Sequence, residues 1–296
     1  MIFHEIEPED GRWARPLLAA PGYASCEYAF VNIYMWQKVY NTQIARFEDF
    51  VIARNEGQHH IRYLYPPGQG DVVKVLDAIL QDAQAENKTP VLFSLTEEAR
   101  EMLESLYPGR FEYTRPRGES DYIYLAQELA ELPGKIHQKK RNHCSRFERD
   151  NPGWQFHEIT PDAMQAVCEF NNRWCNLYDN RGIEGIENEH RAIELACTHY
   201  NELLLKGGYI TVNGEVVAFS FGSPLGTDMF VTHVEKALYD VSGAYSIINR
   251  EIARNFCGCY TYINRENDVD DEGLRTAKLS YHPAWLEHKY VAEWKC

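Results

Sequence analysis

Apolar positions in this chain recur with two periods, one helical and one strand-like, and the period switches many times. Val72, Val75, Leu76, Ile79 and Ala83 fall on one helical stripe after the turn at 66–71. Residues 90–95 form a short apolar run that predicts a buried strand. Residues 97–107 predict a second helix, closed by Pro108 and Gly109. Alternation over 120–126 predicts another strand. Beyond Trp154 the rhythm resumes: a strand, helices over 162–178 and 190–205, then a hairpin. Asn213-Gly214 supplies the two positive-φ residues that a type I′ hairpin turn requires. A strand over 228–238 follows, then a helix with Ile248, Ile252 and Phe256 in register, and strands near 260–265 and 285–294.

A hairpin meander followed by a strand–helix–strand crossover implies a mixed sheet with helices packed on it. The first half has the same rhythm in looser form. The chain therefore reads as α/β, with two tandem domains, each a central mixed sheet flanked by helices. The expected division is 1–130, a basic linker or helix over 131–155, and 156–296.

Composition adds bounds to this picture. With 296 residues, 44% hydrophobic and 13% aromatic, the chain can bury a substantial core. No apolar run approaches the roughly 20 residues needed to span a bilayer. The acidic start lacks the layout of a signal peptide, so a cytoplasmic protein without an integral membrane segment is expected. The net charge of −14 opposes broad contact with nucleic acid or anionic membrane. Against that background Lys135, Lys139, Lys140, Arg141, Arg146 and Arg149 form a local basic island. Of the 8 cysteines, none has C-x-x-C spacing; they read as reduced thiols, and no metal site is expected.

Four groups carry chemistry. Strand alternation puts His233 and Glu235 on one face, where either can act as a general base; a solvated face is the plain alternative. Ser242, Gly243 and Ala244 precede a helix, so their backbone suits a phosphate, or Ser242 is a simple cap. Arg265 and Asp268 leave a strand, and Arg275 and Lys278 follow one helical turn apart. Arg275 can grip a phosphate or carboxylate with its fork and Lys278 as a point charge, while Asp268 orients Arg275 or receives an amine. Leu274, Ala277 and Tyr281 are expected to form the buried stripe of that helix. Capping of the helix dipole by Asp270, Asp271 and Glu272 accounts for the acids alone. The basic island either tracks phosphates or pairs with the chain's excess of acids, 44 against 30.

The stretches DYIY (121–124), KKRNHCSRF (139–147), HVEKAL (233–238) and INREND…GLRTAKLSYHP (263–283) together resemble one family. They look like soluble relatives of the catalytic, C-terminal domain of bacterial phosphatidylglycerol lysyltransferases. That family has a tandem GNAT acetyltransferase fold, akin to the aminoacyl-tRNA-dependent transferases that build peptidoglycan cross-bridges. The resemblance does not extend to the multi-helix membrane portion of the lipid-modifying enzymes. It implies an acyl- or aminoacyltransferase that uses aminoacyl-tRNA or acyl-CoA as donor, with no tightly bound cofactor. The implied acceptor is an amine or hydroxyl of a small molecule or peptide. Glu235, ahead of His233, would be the base and Tyr281 the acid. Arg265, Asp268, Arg275 and Lys278 would bind substrate. Ser242, Gly243 and Ala244 would meet coenzyme A phosphates, and Lys139, Lys140 and Arg141 would contact tRNA. The alternative is a noncatalytic binding module of the same fold that recognises an anionic metabolite or partner.

Overall fold

The computed structural model describes residues 1–19, 22–178 and 183–295. The chain divides into two compact units: Met1–Asp121 with Asn267–Glu272 and Leu286–Cys296, and Tyr122–Glu266 with Gly273–Trp285. The residues expected to link two domains belong to the second unit, where most of them form the basic helix Gln138–Asp150.

The strands in chain order are β1 (His4–Glu5), β2 (Thr42–Phe47), β3 (Phe50–Glu56), β4 (His60–Leu64), β5 (Thr89–Leu95), β6 (Phe111–Thr114) and β7 (Asp121–Leu125). After them come β8 (Gln155–Glu158), β9 (Lys206–Val212), β10 (Glu215–Leu225), β11 (Met229–Ala237), β12 (Tyr262–Asn264), β13 (Trp285–Glu287) and β14 (Tyr290–Trp294). One seven-stranded sheet has the order β1-β2-β3-β4-β5-β14-β6, and the other, read from its far edge, β8-β9-β10-β11-β12-β7-β13. The two orders match position by position. In each, an antiparallel meander ends in a strand that a crossover helix links to a parallel neighbour, β4 to β5 and β11 to β12. The sixth position in each sheet is filled by the strand that follows the other sheet's last one. Periodicity identified residues 121–125 and 290–294 as strands but placed each in the wrong half, because alternation specifies a face and not a neighbour.

Local chemistry explains the crossover helices. Asp71 caps Val72–Ala85, accepting from the Val73 and Lys74 amides. Val75, Leu76, Ile79 and Ala83 pack on Ile52, Ile61, Tyr63, Leu92 and Leu95, each large aliphatic contributing about 1.5–3 kcal/mol of burial. Asn213 and Gly214 both take positive φ, as the hairpin requires.

Two irregularities shape the second sheet around β11. β12 pairs only with Met229–Val231, so among the described residues the rest of β11 has no partner strand on that side. Between Phe221 and Gly222 the β10 register jumps from Val234 to Thr232, which leaves His233 as the extra residue of a bulge.

The helix Glu272–Leu279 corrects one expectation. Leu274 is 44% exposed and Ala277 faces out, whereas Arg275 and Lys278 are half-buried. The helix ends before Tyr281, so 274, 277 and 281 do not share one periodic face. Lys278 instead turns inward and donates from Nζ to the Arg265 carbonyl at 2.7 Å.

Candidate functional site

The two residues that leave β12 both reach back to β11. Arg265 donates from Nη2 to Glu235 Oε1 at 2.7 Å. Glu266, held at φ 55°, places its carboxylate 2.9 Å from His233 Nδ1, and His233 Nε2 lies 2.8 Å from Ser223 Oγ. The Arg265–Glu235 and Glu266–His233 contacts cross the gap that the short β12 leaves beside β11.

Around Arg265 the second unit gathers side chains from six segments. The guanidinium lies 4.6 Å from the Tyr281 ring centroid and 5.6 Å from that of Tyr124 on β7. Lys140, from the basic helix, sets Nζ 3.7 Å from the Tyr281 ring centroid, a cation–π distance. Glu235 Oε2 accepts from Asn249 Nδ2 at 2.9 Å, so both of its oxygens are engaged. Asn249 and Ser246 come from the crossover helix Ala244–Phe256, and Ser246 Oγ is 3.4 Å from the Tyr281 hydroxyl. Tyr124 donates to the Lys278 carbonyl at 2.8 Å. Arg265 Nη1 and Asn249 Oδ1 are buried and have no hydrogen-bond partner among the described residues. An unpaired buried group of this kind costs about 1–3 kcal/mol, more when charged.

Electrostatics separates the roles of these groups. Burial opposes the Arg265 charge, but Glu235 overrides it and raises the pKa, so the cation is permanent. Burial, with repulsion from Arg265, lowers Lys140 to about 8. Burial raises Tyr281 to about 12, which keeps its O–H in place as a donor at neutral pH. The Cys144 thiol beside them is raised to about 11 by burial and is inert as a nucleophile.

The remaining candidates have environments of their own. Lys139 is exposed, and Arg141 holds the carbonyls of Leu132 and Gly134, so the three neighbouring cations have three different environments. Asp268 belongs to the first unit, where it is buried, pairs with Arg117 at 3.2 Å and accepts from the Asp270 amide. Arg275 is half-buried on its helix. Ser242 is exposed, and Ala244 is buried with its amide donating to Val241 O. One donor of the expected phosphate cradle, the Ala244 amide, is thus used within the turn, and the Ser246 amide two residues on donates to Gly243 O.

Gly243 has φ 85°, and a Cβ there would lie 2.3 Å from the His143 carbonyl oxygen on the basic helix. Gly243→Ala should therefore lower unfolding free energy by more than about 1 kcal/mol, through backbone strain and loss of helix contact. Urea denaturation checks this; an unchanged midpoint would contradict the close approach.

Tyr124, Ser246, Asn249, Ser223 and Glu266 were missed by sequence reasoning. The inward turn of Lys140 had a readable signal. His137, Lys140, Cys144 and Phe147 recur at helical spacing, and the other three are buried.

Comparison with known proteins agrees with this architecture. The family described as phosphatidylglycerol lysyltransferase, C-terminal, matches residues 22–293. A crystal structure of a conserved protein of unknown function from Bacteroides thetaiotaomicron VPI-5482 is 38% identical over 100% of both chains, with a TM-score of 0.95. L-PGS from Bacillus licheniformis is 15% identical with a TM-score of 0.70, covering 99% of this chain and 93% of that one. The C-terminal domain of a putative lysylphosphatidylglycerol synthetase from Agrobacterium fabrum is 14% identical, also at 0.70, covering 97% and 92%. At such identity these two speak to the fold alone. No curated protein matches the chain. No described helix is long and apolar enough to cross a membrane. With two matching mixed sheets, exchanged strands and a family match spanning nearly all its residues, the chain belongs to the phosphatidylglycerol lysyltransferase C-terminal family.

Proposed function

We propose that this chain is an aminoacyltransferase that moves an aminoacyl group from its ester with tRNA to an amine or hydroxyl acceptor. The observation that carries this reading is Arg265: a buried, permanently charged guanidinium with one nitrogen on Glu235 and Nη1 left for a ligand oxygen. In this reading Nη1 stabilises the negative oxygen that develops as the acceptor attacks the ester carbonyl. Glu235, with both oxygens engaged, positions Arg265 and does not abstract a proton. Lys140, lowered to about 8, accepts the acceptor's proton. The ester C–O bond breaks, and the leaving ribose oxygen takes a proton from Tyr281. Tyr281 regains its proton from solvent, and Lys140 releases there the one it accepted. The engaged amides at Ala244 and Ser246 favour a tRNA ester over a coenzyme A thioester as donor. The exposed cations of the basic helix, Lys139 among them, suit its phosphates.

The test is a donor panel: labelled aminoacyl-tRNAs and, separately, acetyl-CoA, each offered with phosphatidylglycerol micelles and with small amines. Acceptor-dependent consumption of an aminoacyl-tRNA and a product of matching mass are expected. Stable donors throughout the panel would refute the reading.

The proton step has its own signature. The rate should rise with pH through about 8 as the Lys140 amine becomes neutral, then level off. Lys140→Met should remove that limb and about 10²–10⁴-fold of the rate. A profile unchanged by the substitution would assign the base elsewhere.

A further inference from the structure

We propose that Cys168 and Cys197 are a redox-modification site, a thiol pair that closes into an interhelical disulfide when a peroxide oxidises it and reopens under a dithiol. Cys168 lies on the helix Met164–Tyr178, and Cys197 lies near the end of the helix Ile183–Thr198. Their sulfurs are in hydrogen-bond contact. Other contacts fix the register that brings them together. Lys236 Nζ sits between the two helices, 3.7 Å from Cys175 Sγ and 3.1 Å from Glu189 Oε2. Asn171 Nδ2 lies 3.3 Å from His190 Nδ1. Cys168 is seven residues before Cys175 and Cys197 is eight after Glu189, so each thiol stands about two turns from the Lys236 bridge. In an antiparallel helix pair these two displacements run the same way, and they end opposite each other.

The two thiols differ as a reactive and a resolving cysteine must. Cys168 is half-buried and within reach of a small oxidant, whereas Cys197 is 7% exposed. The Cys197 S–H donates to the Cys168 sulfur. That bond draws the Cys168 thiol down to about 7, against burial and the carboxylates of Glu194 and Glu169. The same bond, with burial, holds Cys197 protonated. The more accessible sulfur is thus a thiolate near neutral pH, with an intact thiol set against it. Lys236 follows Glu235 on β11 and points to the other face of the strand, so this helix pair packs behind the strand that holds Arg265. Closing the disulfide staples the two helices that enclose Lys236.

The oxidation takes two electrons from the sulfurs. The Cys168 thiolate attacks one oxygen of the peroxide, the O–O bond breaks, and hydroxide leaves; Cys168 is then a sulfenic acid. The Cys197 sulfur attacks the Cys168 sulfur, the S–O bond breaks, and the hydroxyl departs with the Cys197 proton as water. A dithiol returns both cysteines to thiols by exchange.

The experiment treats the full folded chain with hydrogen peroxide and digests it with trypsin, which cuts at Arg173 and Arg191 between the two cysteines. A non-reducing map of the wild-type chain should show the Cys168 and Cys197 peptides joined, two hydrogens lighter than their sum, and dithiothreitol should part them. In Cys197→Ser the reaction should stop at the Cys168 sulfenic acid, which dimedone traps, and in Cys168→Ser the link should be lost. The assay needs neither donor nor acceptor, so its outcome is independent of the transfer reaction proposed above. Three results would overturn the proposal: Cys168 of the folded wild-type chain ending as a dimedone adduct or sulfinic acid with no link, oxidation confined to other cysteines such as the exposed Cys259, or a link that forms only after urea has unfolded the chain.

Discussion

Replacing Lys289 with methionine should destabilise the protein by about 3–5 kcal/mol, one of the two largest effects expected of any single change. Lys289 is 2% exposed and donates from Nζ to both oxygens of Glu27 at 2.7 Å and to Asp121 Oδ1 at 2.8 Å, with Cys26 Sγ at 3.8 Å. Asp121 is fully buried and also accepts from the Cys26 amide at 2.7 Å. Cys26, Glu27 and Asp121 together present a donor set of the kind that holds a cation, and the Lys289 ammonium occupies that position. Burial opposes its charge, but Asp121, Cys26 and Glu27 prevail and raise its pKa. A raised pKa means this contribution is fully present at neutral pH and is lost only as pH climbs above the ordinary lysine range. Methionine fills the space yet leaves two carboxylates without a cation. Because Lys289 immediately precedes β14, the loss should loosen the one strand that reaches the first sheet from the chain's far end. Urea denaturation measures it, and adding Asp121→Asn and Glu27→Gln should recover much of the loss. A cost below about 1 kcal/mol would mean that the ammonium does not hold this cluster together.

Arg265→Lys should lower the transfer rate by about 10²–10³-fold, the usual cost of removing one oxyanion donor. Lysine keeps a positive charge for Glu235 but has no second nitrogen in a fixed fork. Arg265→Ala is a poorer probe, since it strands Glu235, whose side chain is only 11% exposed, and would cost stability as well as rate. The informative outcome is therefore a lysine variant that stays folded and loses turnover. If Arg265→Lys keeps full activity, the free Nη1 has no role in the displacement.

Much of the fold was legible because burial imposes its period on the sequence. The Val75–Ala83 stripe, the Asn213-Gly214 turn and the crossover helix with Ile248 and Ile252 all appear where periodicity and turn chemistry put them. Strand partners were not legible. β7 and β14 carry the pattern of interior strands but nothing that names their sheet, and each joins the half opposite to the one expected. The charged helix near the C-terminus misled for another reason. Apolar spacing at Leu274 and Ala277 suggested a core face, yet the long stems of Arg275 and Lys278 turn inward. Arg265 and Glu235 were singled out separately, on different strands. Only folding shows that one anchors the other, and that Glu266 and Ser223 meet across His233.

The most direct test of the account is a single-turnover assay with aminoacyl-tRNA and acceptor, run in parallel on the wild-type chain and on Arg265→Lys. Unfolding free energies are measured on the same samples. The account predicts acceptor-dependent transfer by the wild-type chain, and about 10²–10³-fold slower transfer by a variant that remains folded. Equal rates for the two proteins, or no transfer by the wild-type chain with any donor, would contradict it.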